Sequence, residues 1–551
     1  MIDSEGTKSV RHPTNIIKTF TVPFALEQIK ENISINTEIP SELSKKQLIN
    51  QAFKFHLEGN SSKALKYYQS WLDQGFKDPI VFYNYALILK DLGKLEKAEE
   101  LTRRAINLKP DFAEAHLNLG NILNDINQLK EAEVSTRNAI NLKPDFAEAH
   151  CNLGIILKKL DKLIEAELSQ LEAIKIKPNF AVAHHNLANV LKNLGKLQEA
   201  EKSHREAIRI QPNFPEAHNN LGNVLKDLGK LQEAEFSIRK AIEIKPDFAE
   251  AYANLGGLLS DLGKLKEAKL SLCKALKIQP KFIGAAWNQI ALSNNIIEAE
   301  YNINQCLRID KNYLNAKLLL SAIKLHNGDK KLLNNFTESK YKNHPFIRSI
   351  NWVSNLPEIP KLFFHRWGLF KEMINLSEKN RPFYEFGVWR GISFKYLIKS
   401  FKKGYGFDTF EGLPEDWHEE KRGTYTADGI IPKISGGKFI KGKFEETLPV
   451  FFNKTRPMAS IINFDADLYS STLCALNFSK PIIDENTILI FDEFIMNKKW
   501  EQDEYKALDE FCANQNLNYH VLAISYTSKQ VAVKLKGFKK QTIKNSLSSL
   551  N

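Results

Sequence analysis

The chain has 551 residues, which is more than one hydrophobic core usually organises, so its length predicts two or three domains. Apolar residues make up 43% of it and charged residues 26%, as in globular proteins, which argues against a disordered or fibrous chain. The net charge of +12 is modest for this length and has no basic block with interleaved aromatic residues, so we expect no nucleic-acid partner.

Residues 1–44 form a predicted N-terminal extension without a clear period. It begins with the polar run MIDSEGTKSVRHPTN, which lacks the apolar segment of a signal peptide, and TFTVPFALEQIKENI predicts one short helix before a polar linker. No segment reaches 18 consecutive apolar residues, so we expect no membrane span. The five cysteines have no paired spacing, and a reducing, cytoplasmic location is the simplest expectation.

A repeat of 34 residues starts near residue 45. Prolines recur with this period at Pro110, Pro144, Pro178, Pro212, Pro246 and Pro280. Small residues recur with it at two phases, Ala52, Ala86, Gly120, Gly154, Ala188, Gly222 and Gly256, and Ala64, Ala98, Ala132, Ala166, Ala200, Ala234 and Ala268. Small residues let two antiparallel helices approach closely, and proline ends the second helix of each pair. The pattern resembles the tetratricopeptide repeat.

These repeats predict an all-α solenoid over residues 45–311. Seven units run to about residue 280, and a degraded eighth, from about 281 to 311, has lost three residues before Ala299. A degraded last unit suits the cap of a solenoid, because the outer face of a terminal repeat meets solvent.

An asparagine also recurs every 34 residues, on the first helix of each unit. Its positions are Asn84, Asn118, Asn152, Asn186, Asn220, Asn254 and Asn288. The set resembles the asparagine ladder in the repeat domain of O-linked N-acetylglucosamine transferases. That resemblance implies a concave face that binds a protein or extended peptide, at about 0.5–1.5 kcal/mol for each hydrogen bond. The alternative is a structural asparagine copied by duplication.

Residues 312–360 form a predicted bridge, with a helix at LNAKLLLSAIKLH and an irregular stretch at HPFIRSINWVSNLPEIPKL. Strand and helix patterns then alternate through residues 361–551, after a first helix at FHRWGLFKEMINLSEKN. The predicted strands are residues 382–386, 404–408, 438–444, 459–465, 487–493, 519–525 and 529–535. The alternation predicts an α/β domain with a mostly parallel sheet, and the final hairpin adds one antiparallel strand. The number and order of the predicted strands resemble those of the class I methyltransferase sheet, which is a Rossmann-like fold.

Two acid clusters lie 27 residues apart at the ends of two of these strands. Asp465 and Asp467 follow ASIINF, and Asp492 and Glu493 follow TILIF. The carboxyl ends of strands in open α/β sheets are where ligands bind. Converging carboxylates are costly unless a cation or a proton-transfer role justifies them, so the clusters indicate an enzyme.

A glycine turn follows the first of the seven strands, in the run EFGVWRG. Glu385, Gly387 and Gly391 belong to it, and Asp408 ends the next strand, 21 residues after Gly387. Glycines there allow a ligand to approach the backbone, and a carboxylate at that spacing suits a ribose. Alone, the turn is a weak motif and Asp408 could simply cap GFDTFEGLP; together they are stronger.

Four stretches, EFGVWRG, GFDTFEGLP, FDADLYSST and FDEF, resemble the macrocin O-methyltransferase (TylF-type) family. The resemblance covers roughly residues 360–535 and implies a Mg-dependent sugar O-methyltransferase that uses S-adenosylmethionine. The cofactor residues that it implies are Glu385, Gly387, Gly391 and Asp408. The implied metal ligands are Asp465, Asp492 and Glu493. The family more often has aspartate at the position of Glu493.

The residue types at these positions fit Mg-dependent methyl transfer to a hydroxyl, independently of the family resemblance. A sugar hydroxyl has a high pKa, so a cation held by carboxylates would stabilise the developing alkoxide, and oxygen ligands favour Mg²⁺ over zinc. Asp465 or Asp467 would accept the proton. The alternative is a solvated loop in which an aspartate caps the helix LYSSTLCAL. Residues 409–437, with Trp417, His418 and Tyr425, are a candidate lid, and Arg366 and Trp367 are candidates to join it. The alternative for the histidines is a surface position.

Two hypotheses follow for the whole chain. In the first, an O-methyltransferase acts on a small-molecule or glycan acceptor, and the repeat array recruits a protein partner or the substrate. In the second, the array is a protein-interaction scaffold joined to an inactive methyltransferase-like domain. A glycosyltransferase is a weaker third, because the last domain lacks a second nucleotide-sugar sheet.

Overall fold

The computed structural model describes residues 44–538, which divide into two compact units at Asp227. The helix predicted at TFTVPFALEQIKENI lies outside the described residues. None of the described helices is both long and apolar enough to cross a membrane. All five cysteines are free.

The first unit, to Asp227, is entirely helical. Its helices are α1 Lys45–Leu57, α2 Ser61–Asp73, α3 Pro79–Asp91, α4 Leu95–Leu108, α5 Ala113–Asp125, α6 Leu129–Leu142, α7 Ala147–Lys159, α8 Leu163–Ile176, α9 Ala181–Asn193, α10 Leu197–Ile210 and α11 Pro215–Asp227. Consecutive helices pack in pairs, α1 with α2 through α9 with α10. The predicted close approach is confirmed, because a Cβ atom on Gly120 would lie 2.2 Å from Thr136 Oγ1, and one on Gly154 would lie 2.3 Å from Gln170 Nε2.

The histidines at repeat positions hold the turns between units. Nε2 of His116, His150, His184 and His218 lies 3.0 Å from the carbonyl oxygen of Pro110, Pro144, Pro178 and Pro212 respectively. Each bond satisfies a carbonyl near the end of a second helix, where intrahelical partners are lacking. These histidines therefore have a structural role in the turns between units.

The second unit, from Leu228, begins with eight helices. These are α12 Leu231–Ile244, α13 Ala249–Asp261, α14 Leu265–Ile278, α15 Ile283–Ile290, α16 Ile296–Ile309, α17 Leu314–His326, α18 Lys331–Thr337 and α19 Pro345–Ser354. The shortened α15 belongs to the degraded eighth repeat. The irregular structure predicted around α19 is wrong: Pro345 takes the first helical position, His344 Nδ1 accepts from Phe346 N at 3.2 Å, and the helix buries an apolar face.

An eight-stranded sheet follows, in the order β1-β7-β8-β6-β5-β2-β3-β4. Its strands are β1 Lys361–Phe363, β2 Phe383–Phe386, β3 Gly404–Asp408, β4 Gly437–Lys441, β5 Ile461–Phe464, β6 Ile488–Phe491, β7 Asn518–Ser525 and β8 Gln530–Lys536. The remaining helices are α20 Arg366–Leu376, α21 Ile392–Leu397, α22 Phe444–Phe452, α23 Tyr469–Ser479 and α24 Glu504–Gln515. Only β8 runs antiparallel to its neighbours. The edge strand β1 was not predicted.

A row of four phenylalanines crosses the middle of this sheet. Phe386 stacks on Phe407 and Phe464 with ring centroids 5.0 and 5.4 Å apart, and Phe464 stacks on Phe491 at 4.8 Å. All four side chains are fully buried. Because the rings share one register, the residues that follow them leave β2, β3, β5 and β6 at the same level.

Two repeat turns of the second unit pack against its α/β domain. Trp367 Nε1 donates to the carbonyl of Ser260 at 2.7 Å, and a Cβ atom on Gly263 would lie 3.5 Å from the Trp367 ring. A Cβ atom on Gly229 would lie 2.4 Å from Arg390 Cδ and 2.6 Å from the Trp389 ring. The last repeats are therefore part of the packing of the C-terminal domain.

Candidate functional site

The candidate site is the carboxyl edge of the sheet, beyond the phenylalanine row. Gly387, Asp408, Asp465 and Asp492 come directly after the four phenylalanines. Gly387 has a φ of 86°, and a Cβ atom on it would lie 1.8 Å from the Asp465 carbonyl oxygen. The backbones after β2 and β5 therefore touch at the point where the strand order reverses, which is where open α/β sheets bind ligands.

The Asp408 carboxylate organises the glycine turn. Its Oδ2 accepts from the backbone N–H groups of Val388 and Trp389, both at 2.7 Å, and its Oδ1 accepts from Phe410 N at 2.5 Å. Gly391, with a φ of 72°, closes the turn and begins α21. The structure thus brings Asp408, Gly387 and Gly391 together as the sequence predicted, and it gives Asp408 a structural role that accompanies any ligand role.

Glu385 lies inside the sheet beneath this turn and is 1% exposed. Asn463 Nδ2 donates to its Oε1 at 3.0 Å, while Glu385 Oε2 and Asn463 Oδ1 are buried without a partner among the described residues. Burial raises the pKa of Glu385 well above its usual range. Two unpaired acceptors in one buried place fit a ligand that brings hydrogen-bond donors, or a protonated Glu385.

The two acid clusters meet at this edge, but cationic side chains already pair with part of them. Arg366 Nη2 donates to Asp492 Oδ2 at 2.8 Å and to Oδ1 at 3.1 Å. Lys529 Nζ donates to Glu493 Oε2 at 2.9 Å. Gln530 Nε2 also donates to Asp492. These pairings supply the positive charge that the sequence argument assigned to a metal ion.

The other carboxylates of the edge lack such partners. Burial, with the neighbouring Asp492 charge, raises the pKa of Asp465 well above its usual range. Burial and the neighbouring Glu493 charge also raise the pKa of Asp467. The backbone of Asp467 has a φ of 59°. Burial and Asp467 raise the pKa of Glu504, whose Oε2 accepts from Glu493 N at 3.2 Å. Carboxylates with raised pKa values in a polar cleft are candidates for proton transfer.

The predicted magnesium ligands do not form a cation site in this arrangement. Within residues 44–538, no three histidine, cysteine, aspartate or glutamate side chains are grouped so that they could hold a metal ion. Asp492 and Glu493 point their oxygens at Arg366 and Lys529 instead. The magnesium role of Asp465, Asp492 and Glu493 therefore remains a prediction, and the donor set as it stands does not fit the ion.

The long connection from residue 409 to 436 lies beside the acid clusters. His418 Nε2 lies 2.8 Å from Asp503 Oδ2, and Ser470 Oγ donates to Glu415 Oε1 at 2.6 Å. Burial, Glu420 and Asp467 raise the pKa of Tyr425. Named partners for His418 and a place near Asp467 for Tyr425 fit the predicted lid, although closure itself remains a prediction.

The asparagine set divides by burial. In the first unit Asn84, Asn118, Asn152 and Asn186 are at most 5% exposed. Nδ2 of Asn118 donates to Thr102 Oγ1 at 3.1 Å, and Nδ2 of Asn152 donates to Asn121 Oδ1 at 2.8 Å. Nδ2 of Asn186 lies 3.4 Å from Cys151 Sγ. Such bonds within the repeats favour the copied structural asparagine at these positions.

The remaining members are partly exposed. Asn220 Nδ2 donates to Asn189 Oδ1 at 3.0 Å, while Asn254 and Asn288 belong to the second unit. Peptide binding by these three stays a prediction. Asn121 and Asn189 each accept a hydrogen bond from the asparagine 31 residues later. They were not predicted, because Ile155 interrupts this second series of asparagines with a 34-residue spacing.

A buried histidine pair lies in the repeats, away from any predicted site. His185 and His204 have ring centroids 5.2 Å apart, and both rings are buried. Burial, with the charge of Lys158, lowers the pKa of His185 to about 3. Burial and His185 lower the pKa of His204 well below its usual range, with further contributions from Lys192 and Lys158. Both histidines are therefore neutral at physiological pH.

Comparison with known families identifies the repeats. Profiles of the TPR repeat match residues 86–126, 120–161 and 188–229, and profiles of the tetratricopeptide repeat match residues 147–180, 170–202, 215–248 and 249–282. Residues 86–282 are a tetratricopeptide-repeat array. No curated protein matches the chain.

Several solved structures resemble the tetratricopeptide array. The Cut9–Hcn1 hetero-tetramer of APC/C is 18% identical, with a TM-score of 0.40, and the match covers 51% of this chain and 56% of that one. YrrB, a TPR protein with an unusual peptide-binding site, is 25% identical, with a TM-score of 0.29 and coverage of 35% and 98%. A tetratricopeptide repeat protein from Parabacteroides merdae is 17% identical, with a TM-score of 0.39 and coverage of 49% and 99%.

Proposed function

We propose that the chain is a protein-interaction scaffold whose tetratricopeptide array binds an extended polypeptide segment. The observation that carries this proposal is the array itself, since stacked helix pairs create an extended concave binding surface. The partly exposed asparagines Asn254 and Asn288 lie together in the second unit, where a peptide backbone could reach them. Asn220, in the first unit, is also partly exposed. Of the buried members, Asn118, Asn152 and Asn186 make side-chain contacts within the repeats.

Peptide capture by the full chain tests this proposal. The double variant Asn254→Ala/Asn288→Ala should weaken binding of peptides selected from an immobilised library by about tenfold, because it removes two hydrogen bonds to the peptide backbone. The matched variant Asn118→Ala/Asn152→Ala should lower the melting temperature and change affinity less. Equal affinity of the first variant and the wild type would reject the role of the asparagines in peptide binding. If the selection yields no binding peptide, the scaffold proposal is rejected.

We further propose that the C-terminal domain binds S-adenosylmethionine and is an O-methyltransferase. Counted from β2, the strands lie in the order 3-2-1-4-5-7-6 with strand seven antiparallel, which is the class I methyltransferase order. The proposal is supported by the Gly387 turn and Asp408, which lie at the carboxyl edge where the strand order reverses. It is also supported by the unpaired oxygens of Glu385 and Asn463, which fit a ligand with several donors. When bound, the cofactor would supply an electrophilic methyl group.

The residues of this chain would then position the acceptor and remove its proton. Asp465 and Asp467 are two aspartates of the edge without a cationic hydrogen-bond partner, and their raised pKa values make them stronger bases than a free aspartate. Arg366 and Lys529 hold Asp492 and Glu493 in place. No metal takes part in this scheme, because the donor set does not fit one. A sugar or glycan hydroxyl is the proposed acceptor, on the family resemblance alone.

Calorimetry of the full chain with S-adenosylmethionine tests the second proposal. The wild type should bind one equivalent, and Asp408→Asn should weaken binding at least tenfold, because the glycine turn loses its anchor. Asp509→Asn, an exposed change on α24, should have no effect. Absence of binding at millimolar cofactor would leave the scaffold with an inactive domain.

Acceptor screening with labelled S-adenosylmethionine then tests for turnover. We expect Asp467→Asn to abolish transfer while cofactor affinity is kept. The screen should be repeated in chelator, because loss of activity there would show that a magnesium ion displaces Arg366 and Lys529 from the acid clusters. Unchanged transfer by both Asp465→Asn and Asp467→Asn would reject the proton-transfer role.

A further inference from the structure

A pocket lies in the second unit, between the repeats and the long connection from residue 409 to 436. It has a volume of about 520 Å³ and is separate from the carboxylate residues of the sheet edge. The turn from Gly229 to Glu233 forms one wall, residues 427–433 form another, and α21 with the residues after it forms the floor. Its volume is that of a pocket for a small molecule.

The lining of this pocket is strongly basic. Glu233 is its single carboxylate, against five cationic side chains, which are Lys230, Arg390, Lys395, Lys399 and Lys433. Lys395, Lys399 and Lys433 have no ion-pair partner among residues 44–538. Lys395 lies on α21 and Lys399 in the turn that follows it, and both side chains are exposed. An anion between these two lysines would offset their mutual repulsion. A concave surface of one charge also concentrates counter-ions.

Arg390 adds a polar group at the base of the pocket. Its Nη2 pairs with Asp428 Oδ2 at 3.2 Å, while its Nε is buried without a partner in the described part of the chain. Burying an N–H donor unpaired is unfavourable. An anion that reached the guanidinium would relieve it.

Aromatic rings complete the wall. Trp367 and Tyr396 have ring centroids 4.8 Å apart, and Tyr396 Oη donates to the Trp367 carbonyl at 3.3 Å. Trp367 is 5% exposed and Tyr396 is partly exposed, so the Tyr396 ring is the accessible member. A flat apolar surface beside several lysines suits a ligand with a ring and a phosphate group.

We propose that this pocket binds a phosphorylated small molecule of the size of a sugar phosphate. The lysines contact the phosphate as point charges, and the ring of the ligand lies against Tyr396. The site shares no residue with the carboxylates proposed for methyl transfer and needs neither cofactor nor turnover. Its test is therefore independent of the proposed functions.

Titration of the full chain with inorganic pyrophosphate and with glucose 1-phosphate, each in low salt, tests the pocket. One equivalent of each should bind, and Lys395→Gln/Lys399→Gln should weaken both at least tenfold. The matched variant Lys371→Gln/Lys379→Gln removes two exposed lysines outside the pocket and should stay within twofold of wild type. No saturable binding, or an equal loss in both variants, would overturn the proposal.

A second pair of measurements tests the aromatic wall. Tyr396→Leu should weaken the binding of glucose 1-phosphate about fivefold and leave the affinity for pyrophosphate within twofold of wild type. The melting temperature of the variant checks that the chain is folded. Equal affinities of wild type and Tyr396→Leu for glucose 1-phosphate would overturn the role of the ring. Saturating S-adenosylmethionine should leave pyrophosphate affinity unchanged, and direct competition would overturn the assignment to a separate pocket.

Discussion

The histidine pair of the repeats and the carboxylates of the sheet edge are both buried ionisable clusters with opposite consequences. His185 and His204 become neutral on burial, and their charge is simply absent at pH 7. Asp465 and Asp467 have raised pKa values, so ionising them works against the fold. The repeats avoid an electrostatic penalty, whereas the sheet edge retains one. Retained penalties of this kind are typical of functional sites.

The largest expected effect is at Gly387. Alanine there combines an unfavourable φ of 86° with a Cβ atom 1.8 Å from a backbone oxygen, and should cost more than about 3 kcal/mol in the free energy of unfolding. Gly154→Ala, which meets only the movable Gln170 side chain, should cost about 1–2 kcal/mol. Urea unfolding of both variants measures the difference. Equal costs would mean that the sheet edge is as tolerant as the repeats.

Removal of Arg366 should have the next largest effect. Arg366→Met leaves Asp492, 5% exposed, without its cationic partner and should destabilise the fold by about 2 kcal/mol. Lys361→Met breaks the Lys361–Glu372 pair, whose lysine is 60% exposed, and should change stability by less than about 0.5 kcal/mol. The midpoints and slopes of denaturant unfolding distinguish the two variants. An Arg366→Met variant as stable as wild type would show that the sheet edge is well solvated.

Asp467→Asn tests the sign of the electrostatic penalty at the edge. A carboxyl whose folded pKa is raised binds more protons when folded than unfolded, so its contribution to stability is present at low pH and lost as pH rises above its unfolded pKa of about 4. The variant should therefore be more stable than wild type at pH 7, and the two should converge near pH 4. A variant less stable at pH 7 would mean that the Asp467 charge is stabilised by its surroundings.

The smallest expected effect at neutral pH is at His204. A histidine whose folded pKa is lowered makes the fold lose stability as pH falls below its unfolded value of about 6.5. His204→Gln should change stability by less than about 1 kcal/mol at pH 7 and should flatten the loss of melting temperature between pH 6.5 and 4.5. Lys158 and Lys192 contribute to the same environment and remain unchanged in this variant. Parallel profiles for the two proteins would reject the pair as an acid-sensitive element.

The repeats were the easier region to predict. A period of 34 residues with fixed small-residue and proline phases determines helix pairs locally, and Gly120 and Gly154 pack as that period implies. The period does not say how each first helix is rotated about its axis. The burial of Asn152 was therefore missed, since its partner Asn121 belongs to the preceding unit.

The sheet edge was predictable in outline and unpredictable in its charge pairing. Strand ends located Gly387, Asp408 and the acid clusters, because carboxyl ends of parallel strands share one edge. Arg366 lies 126 residues before Asp492, and Lys529 lies 36 residues after Glu493. No local pattern indicates such long-range pairs. The helix α19 was missed because its proline and aromatic residues suggested irregular structure.

The contacts of Gly229 and Gly263 with Trp389 and Trp367 limit how this gene can change in length. Tandem repeats gain and lose whole units by unequal recombination. Duplication of the segment from Gly229 to Gly263 would add a third turn beside the α/β domain, where the turns at Gly229 and Gly263 already contact Trp389 and Trp367. Copy number is therefore expected to stay constant in the part of the array that packs against the sheet.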